Sequence, residues 1–261
     1  MLTHPNFDPV AFQLGPLAVH WYGLMYVCGF VSAYLLWLYR IRTYPRYADA
    51  NWNADRISDL IFYGALGAVI GGRLGYVLFY KPAYYLNNLT EVVFIQEGGM
   101  SFHGGLLGVI CALYLFSRKI NLPFLQVADF VAPVAPIGLF FGRMGNFINQ
   151  ELWGKTTDLP WGMIFSNGGP LPRHPSMVYE AILEGLLLLA IIWLVARKER
   201  AFGTLSGLFL IGYSLSRMLV ELVRVPDQHL NYLLFDWVTM GQVLSLPMLL
   251  LGLFLVFKTN R

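Results

Sequence analysis

The 261-residue chain is 57% hydrophobic and only 13% charged, with a mean hydropathy of +0.56. That balance excludes an ordinary soluble domain and describes a polytopic membrane protein. The net charge of +3 and pI of about 8.8 need no nucleic-acid partner, since the placement of the cations says more than their sum.

Residues 1–19 contain no Lys or Arg, and the first apolar run is not followed by a small-residue cleavage signature, so the first span is expected to be retained. Stretches long enough to cross about 30 Å of hydrocarbon lie at about 20–39, 57–80, 101–117, 122–141, 177–196, 204–223 and 238–257. The expected fold is therefore all-α, with about seven transmembrane helices. Cys28 and Cys111 both fall inside apolar stretches and read as small buried hydrophobes, with no disulfide or metal pattern. No internal repeat or linker is visible. The simplest organisation is a single membrane-embedded domain over 1–261 with a small outward cap at 143–175, rich in Gly, Pro, Asn and Trp.

One set of loops holds Arg40, Arg42, Arg46, Arg56, Arg118, Lys119, Arg197, Lys198, Arg200, Lys258 and Arg261; the other holds Lys81, Arg143, Lys155, Arg173 and Arg224. The positive-inside rule then puts the C-terminus in the cytoplasm, and the N-terminus, the cap and the segment around His103 at the outer face. Tyr and Trp near span ends, among them Trp21, Tyr80, Trp161, Tyr232 and Trp237, suit interfacial belts and do not by themselves mark a site.

Polar residues inside spans are costly in lipid, which makes them the informative ones. Arg73 follows Gly71 and Gly72, glycines that let a neighbouring helix approach and cover the guanidinium, so both a structural ion pair and a substrate contact are open to it. His103 enters a span between glycines in 98–105, where an imidazole can relay a proton near neutral pH or simply hydrogen-bond the helix end. The run 142–154 (Gly-Arg-Met-Gly-Asn-Phe-Ile-Asn-Gln-Glu-Leu-Trp-Gly) gathers a cation, amides and a carboxylate behind an apolar stretch. If it is helical to Gln150, then Arg143, Asn146 and Gln150 share one face suited to an anion. In the sixth span Tyr213, Arg217, Glu221 and Arg224 recur at i, i+4, i+8 and i+11, a polar stripe that must face protein or water. Arg217 and Glu221 are also spaced to neutralise each other. The five histidines are scattered and none forms His-Glu-x-x-His, which disfavours a metal site. Ser101 lacks a Gly-x-Ser-x-Gly setting and an evident base.

The central run resembles the signature of the bacterial prolipoprotein diacylglyceryl transferases, Gly-Arg-x-Gly-Asn-Phe-x-Asn-x-Glu-x-x-Gly, and matches every fixed position from Gly142 to Gly154. The resemblance extends through His20-Trp21-Tyr22-Gly23, Gly71-Gly72-Arg73, 98–105, Arg173-His174-Pro175-Ser176, the stripe from Tyr213 to Pro226-Asp227, and Met240-Gly241-Gln242. It implies a multi-pass enzyme of the bacterial cytoplasmic (inner) membrane with its active site towards the outer face. Such a transferase of lipoprotein biosynthesis moves the diacylglyceryl group of phosphatidylglycerol, a membrane lipid, to the lipobox cysteine of preprolipoprotein signal peptides. The product is a thioether, glycerol phosphate is released, and no cofactor, metal or nucleic acid takes part. The resemblance assigns catalysis to Arg143 and Arg217 on the phosphate, to His103 for the thiol proton, and to Tyr213 and Glu221 as orienting or relay partners. Tyr22, Arg73, Asn146, Glu151 and Gly154 are the substrate-binding residues it implies.

Overall fold

The computed structural model describes residues 2–94, 98–225 and 238–259. Glu97, the Pro226-Asp227 end of the stripe, His229, Tyr232, Trp237 and Arg261 lie outside the described residues.

The chain opens with β1 (Leu2–Thr3), β2 (Val10–Leu14) and β3 (Leu17–His20), followed by α1 (Trp21–Thr43), α2 (Pro45–Asp49), α3 (Ala54–Phe79), α4 (Pro82–Asn87) and a 3-10 turn at Leu89–Val93. Then come α5 (Phe102–Lys119), α6 (Phe124–Val131), α7 (Ala135–Ile148), β4 (Met163–Ile164) and α8 (Ser176–Glu180). A π-helical segment, Ala181–Leu187, leads into α9 (Leu188–Val195), and α10 (Thr204–Glu221) and α11 (Met240–Thr259) complete the order. Among the described residues, four continuous helical segments are long and apolar enough to cross a membrane: Trp21–Thr43, Ala54–Phe79, Ser176–Val195 and Met240–Lys258. A fifth arises if α5 and α6, bent by 119°, form one span.

Two features depart from the expected all-α pattern of unbroken spans. Residues 10–20 form an antiparallel hairpin closed by Gly15-Pro16, where φ of +60° at Gly15 suits the first position of a type II′ turn. The expected span 122–141 is broken at 132–134 into α6 and α7, because Pro133 and Pro136 withhold two N–H donors, and Pro136 serves instead in the first turn of α7.

Contacts divide the chain into two compact units, Trp37–Ala128 and the combination of Met1–Leu36 with Asp129–Arg261. In the first, Gly67, Gly71 and Gly75 on α3 face Gly104, Gly108 and Ala112 on α5; a Cβ on Gly75 would lie 2.7 Å from Gly104 Cα. Spacing of four along both helices lets the backbones touch, the small-residue packing typical of membrane helices. The glycines thus admit a helix, as expected, but loop backbone covers Arg73. The residue is 4% exposed, and its guanidinium donates to the carbonyls of Glu91 (2.6 Å), Val92 (2.7 Å), Gly98 (2.6 Å) and Gly99 (3.3 Å).

In the other unit α10 starts where Asp129 accepts from Gly203 N (2.8 Å), Ser206 N (2.8 Å) and Ser206 Oγ (2.6 Å), satisfying amides that a helix N-terminus leaves open. Apolar contacts among Ala132, Leu188, Ile192 and Leu205 fix α9 against α10.

The segment 143–175, expected to form a cap, is stitched to the rest of this unit by backbone. β1 pairs in parallel with β4, Gly154 N donates to His174 O (2.8 Å), and Lys155 N donates to Val223 O (2.8 Å). His4 is 1% exposed, with Phe147 and Phe165 around its ring. Burial holds the His4 imidazole below its usual value; burial, and after it Lys155, does the same to His174. For a base whose folded pKa is depressed, the fold prefers the neutral form. Its contribution is complete above the unfolded value, about 6.5, and is lost as pH falls through the lower folded value. Acidification from pH 7.5 to 5 is therefore expected to loosen the cap. Amide hydrogen exchange at 154–164, corrected for intrinsic rates, should accelerate in the native chain and less in His4→Phe; pH-independent protection would contradict this.

Candidate active site

Arg143 projects from the last two turns of α7, Glu180 ends α8, Glu184 lies within the π-helical segment, and Arg217 and Glu221 lie a turn apart on α10. These elements converge on one buried cluster. Arg143 Nε lies 3.0 Å from Glu180 Oε2 and its Nη2 3.5 Å from Glu184 Oε2. Arg217 pairs through Nη1 with Glu180 Oε1 and through Nη2 with Glu221 Oε1. Arg224 Nη1 stands 3.6 Å from Glu180 Oε1 and 3.8 Å from Glu221 Oε1. Three guanidiniums thus face three carboxylates, as buried charges require, while the Arg143 and Arg217 side chains keep 18% and 13% exposure. Tyr213, stacked on Phe209, lies within electrostatic reach of Glu184, Arg217, Arg143 and Glu180.

Two members of the cluster, Glu180 and Glu184, were not singled out from sequence. Their signal was present: two carboxylates at i and i+4 in an apolar run long enough to span a membrane. The seven-residue π segment that begins directly after Glu180 is a rare conformation that recurs at functional sites. It packs tightly on α7, since a Cβ on Gly185 would lie 2.7 Å from Phe140 Cβ.

The signature run ends its helix at Ile148. Gln150, with φ of +56°, leaves the face expected to hold Arg143 and Asn146. It turns to the cap instead, accepting from Ser166 N (2.8 Å) and Oγ (2.9 Å) and donating to Asn6 Oδ1 (3.2 Å). In its place Glu151 folds back: Asn146 Nδ2 donates to its Oε2 (3.1 Å) and Asn149 Nδ2 to its Oε1 (3.2 Å). Tyr22 lies against Gly145, where a Cβ would meet its ring at 2.8 Å, and feels the charges of Glu151 and Arg143. Tyr22, Arg143, Asn146 and Glu151 are thus neighbours. Gly154 is buried, and a Cβ there would lie 2.5 Å from Val223 O and 2.8 Å from His174 Cβ, so a side chain does not fit at this position.

His103 and Arg73 belong to the other compact unit. His103 is exposed in the first turn of α5, behind the N-cap Ser101, whose hydroxyl accepts from Gly104 N at 3.2 Å. Arg73 holds the backbone of Gly98 and Gly99 just upstream. Cys28 is half-buried and Cys111 exposed, both as free thiols. Neither is close in sequence to the arginine cluster, whose ion-pair partners among the described residues are Glu180, Glu184 and Glu221, so the double variant Cys28→Ala/Cys111→Ala is expected to retain turnover. Loss of activity in a folded preparation would place a nucleophile in this chain.

Guanidiniums that keep partial exposure, beside amides and a folded-back carboxylate in an apolar helical protein, have the chemistry to hold an anion. A sequence model of prolipoprotein diacylglyceryl transferases matches residues 9–258, and the chain belongs to that family. A relative from Legionella pneumophila (strain Lens), named phosphatidylglycerol–prolipoprotein diacylglyceryl transferase, is 56% identical over 98% of both chains. Relatives of the same name from Nitratidesulfovibrio vulgaris (strain DP4) and Pseudomonas paraeruginosa (strain DSM 24068 / PA7) are 54% and 53% identical. They cover 98% and 100% of this chain and 96% and 97% of their own lengths.

Proposed function

We propose that the chain is a phosphatidylglycerol–prolipoprotein diacylglyceryl transferase acting on the lipobox cysteine of signal peptides. The observation that carries this reading is the family match over almost the whole chain. In the reaction, the cysteine sulfur attacks the glyceryl carbon bearing the phosphate. A C–S bond forms, the C–O bond breaks, the electron pair leaves on the phosphate oxygen, and the thiol proton passes to a base. The products are a thioether and glycerol phosphate.

The charge that develops on the leaving phosphate sits best beside fixed donors. Arg143 and Arg217 have that role here, supported by their partial exposure and rigid pairing. Tyr22, Asn146 and Glu151 shape the headgroup side, Tyr213 and Glu221 orient the cluster, and His103 accepts the thiol proton, which a neutral imidazole does well near pH 7. Arg73 acts at one remove, by holding the loop ahead of His103. The chain crosses the bacterial cytoplasmic membrane about seven times as one catalytic domain, with the N-terminus and the 143–175 cap outside. The skew of Lys and Arg between the two sets of loops supports that orientation. Incubating purified protein with phosphatidylglycerol and a lipobox peptide should add one diacylglyceryl mass to the cysteine; no adduct with folded protein would overturn the assignment.

A further inference from the structure

We propose that Glu180 is a positioning residue of the transfer reaction, a buried carboxylate that sets the spacing and orientation of Arg143 relative to Arg217. The inference rests on the reading of those two arginines as the phosphate-binding pair. Glu180 is the one residue among those described that all three guanidiniums of the cluster approach: Arg143 at Oε2, and Arg217 and Arg224 at Oε1. It is 0% exposed, so solvent cannot substitute for it.

Arg143 and Arg217 come from different helices, α7 and α10, and like charges in a poorly solvated setting separate unless an anion lies between them. One carboxylate bridging both, an oxygen to each, ties two helices to a single rigid group. Glu184 and Glu221 flank that bridge: Glu184 Oε2 accepts from Arg143 Nη2 at 3.5 Å, and Glu221 pairs with Arg217 Nη2. Five N–H donors per guanidinium exceed these contacts, so donors remain for phosphate oxygens. Their direction is fixed by the bridge.

The test compares kcat, KM for phosphatidylglycerol and thermal stability for full-length protein in lipid nanodiscs. Glu180→Asp keeps the charge but is one methylene shorter, so it cannot span both guanidiniums. We expect kcat to fall at least 10-fold, with an unchanged melting temperature and a smaller change in KM. Glu180→Gln keeps the shape and loses the charge, and should fall further. Because that variant strands a cation and can fail to fold, Glu180→Gln/Arg224→Gln restores the charge balance. We expect this pair to fold and to remain as slow as Glu180→Asp. Wild-type kcat in Glu180→Asp, or recovery of kcat in the charge-balanced pair, would overturn the inference and reduce Glu180 to charge neutralisation. Absence of transfer by the native chain would instead overturn the proposed function.

Discussion

Lysine at position 143 is expected to leave the protein as inactive as alanine does, each losing roughly 100- to 1,000-fold in turnover, or about 3–4 kcal/mol of transition-state stabilisation. The geometry explains why a conserved charge is not enough. Arg143 uses Nε towards Glu180 and Nη2 towards Glu184, two directions fixed by one planar fork, and on the proposed reading the rest of the fork takes the phosphate. An ammonium is a single point on a flexible stem. It can reach Glu180 or a phosphate oxygen, and cannot hold both in a set relation. The measurement is single-turnover transfer from phosphatidylglycerol to a lipobox peptide, with thermal melting alongside. Arg143→Lys with native turnover would remove the bidentate role from this residue.

The second large effect is expected at Arg217, where alanine should cost about 2–4 kcal/mol of transition-state stabilisation. Adding Glu221→Ala should cost little more, because groups sharing one network do not act independently. Glu221→Ala alone should be milder than Arg217→Ala, since Glu180 still grips the guanidinium from its other side. A double-mutant cycle on turnover measures the coupling, expected within the roughly 0.5–3 kcal/mol typical of contacting pairs. If the two losses simply add, or if Arg217→Ala lowers only the melting temperature, the pair is structural. Phosphate binding then rests on Arg143.

Hydrophobic run length and residue chemistry made the helices and the arginines legible in the sequence, because both are local properties. The polar stripe was read from helical spacing alone; α10 ends at Glu221, short of Arg224, and Arg217 and Arg224 both reach Glu180 at the end of α8. What spacing could not supply were the partners. Glu180 and Glu184 sit in the most apolar of the candidate spans, Ser176–Val195, at a mean hydropathy of 2.2, where the surrounding apolar residues mask them. Only the fold shows that they meet the arginines of two other elements. The same holds for Arg73, whose ligands are carbonyls 18 to 26 residues along the chain, and carbonyls carry no sequence signature. Gln150 left its expected face for a conformational reason: the helix stops two residues short of it, and its own left-handed backbone redirects the chain. Pro133 and Pro136 could have foretold the break in 122–141 and were outweighed by the hydropathy of the stretch.

The matching of three guanidiniums by three carboxylates has a consequence for discrimination. A pocket with unmatched positive charge attracts every anion in its surroundings and does so from a distance, until salt screens it beyond about 8 Å. A pocket whose charges already cancel projects little field of that kind. An anion gains there only at contact range, by taking over N–H groups in the directions the carboxylates leave open. If this cluster binds the lipid phosphate as proposed, selection among membrane lipids depends on headgroup shape, and a bulk counterion at ordinary ionic strength is a poor competitor for the site.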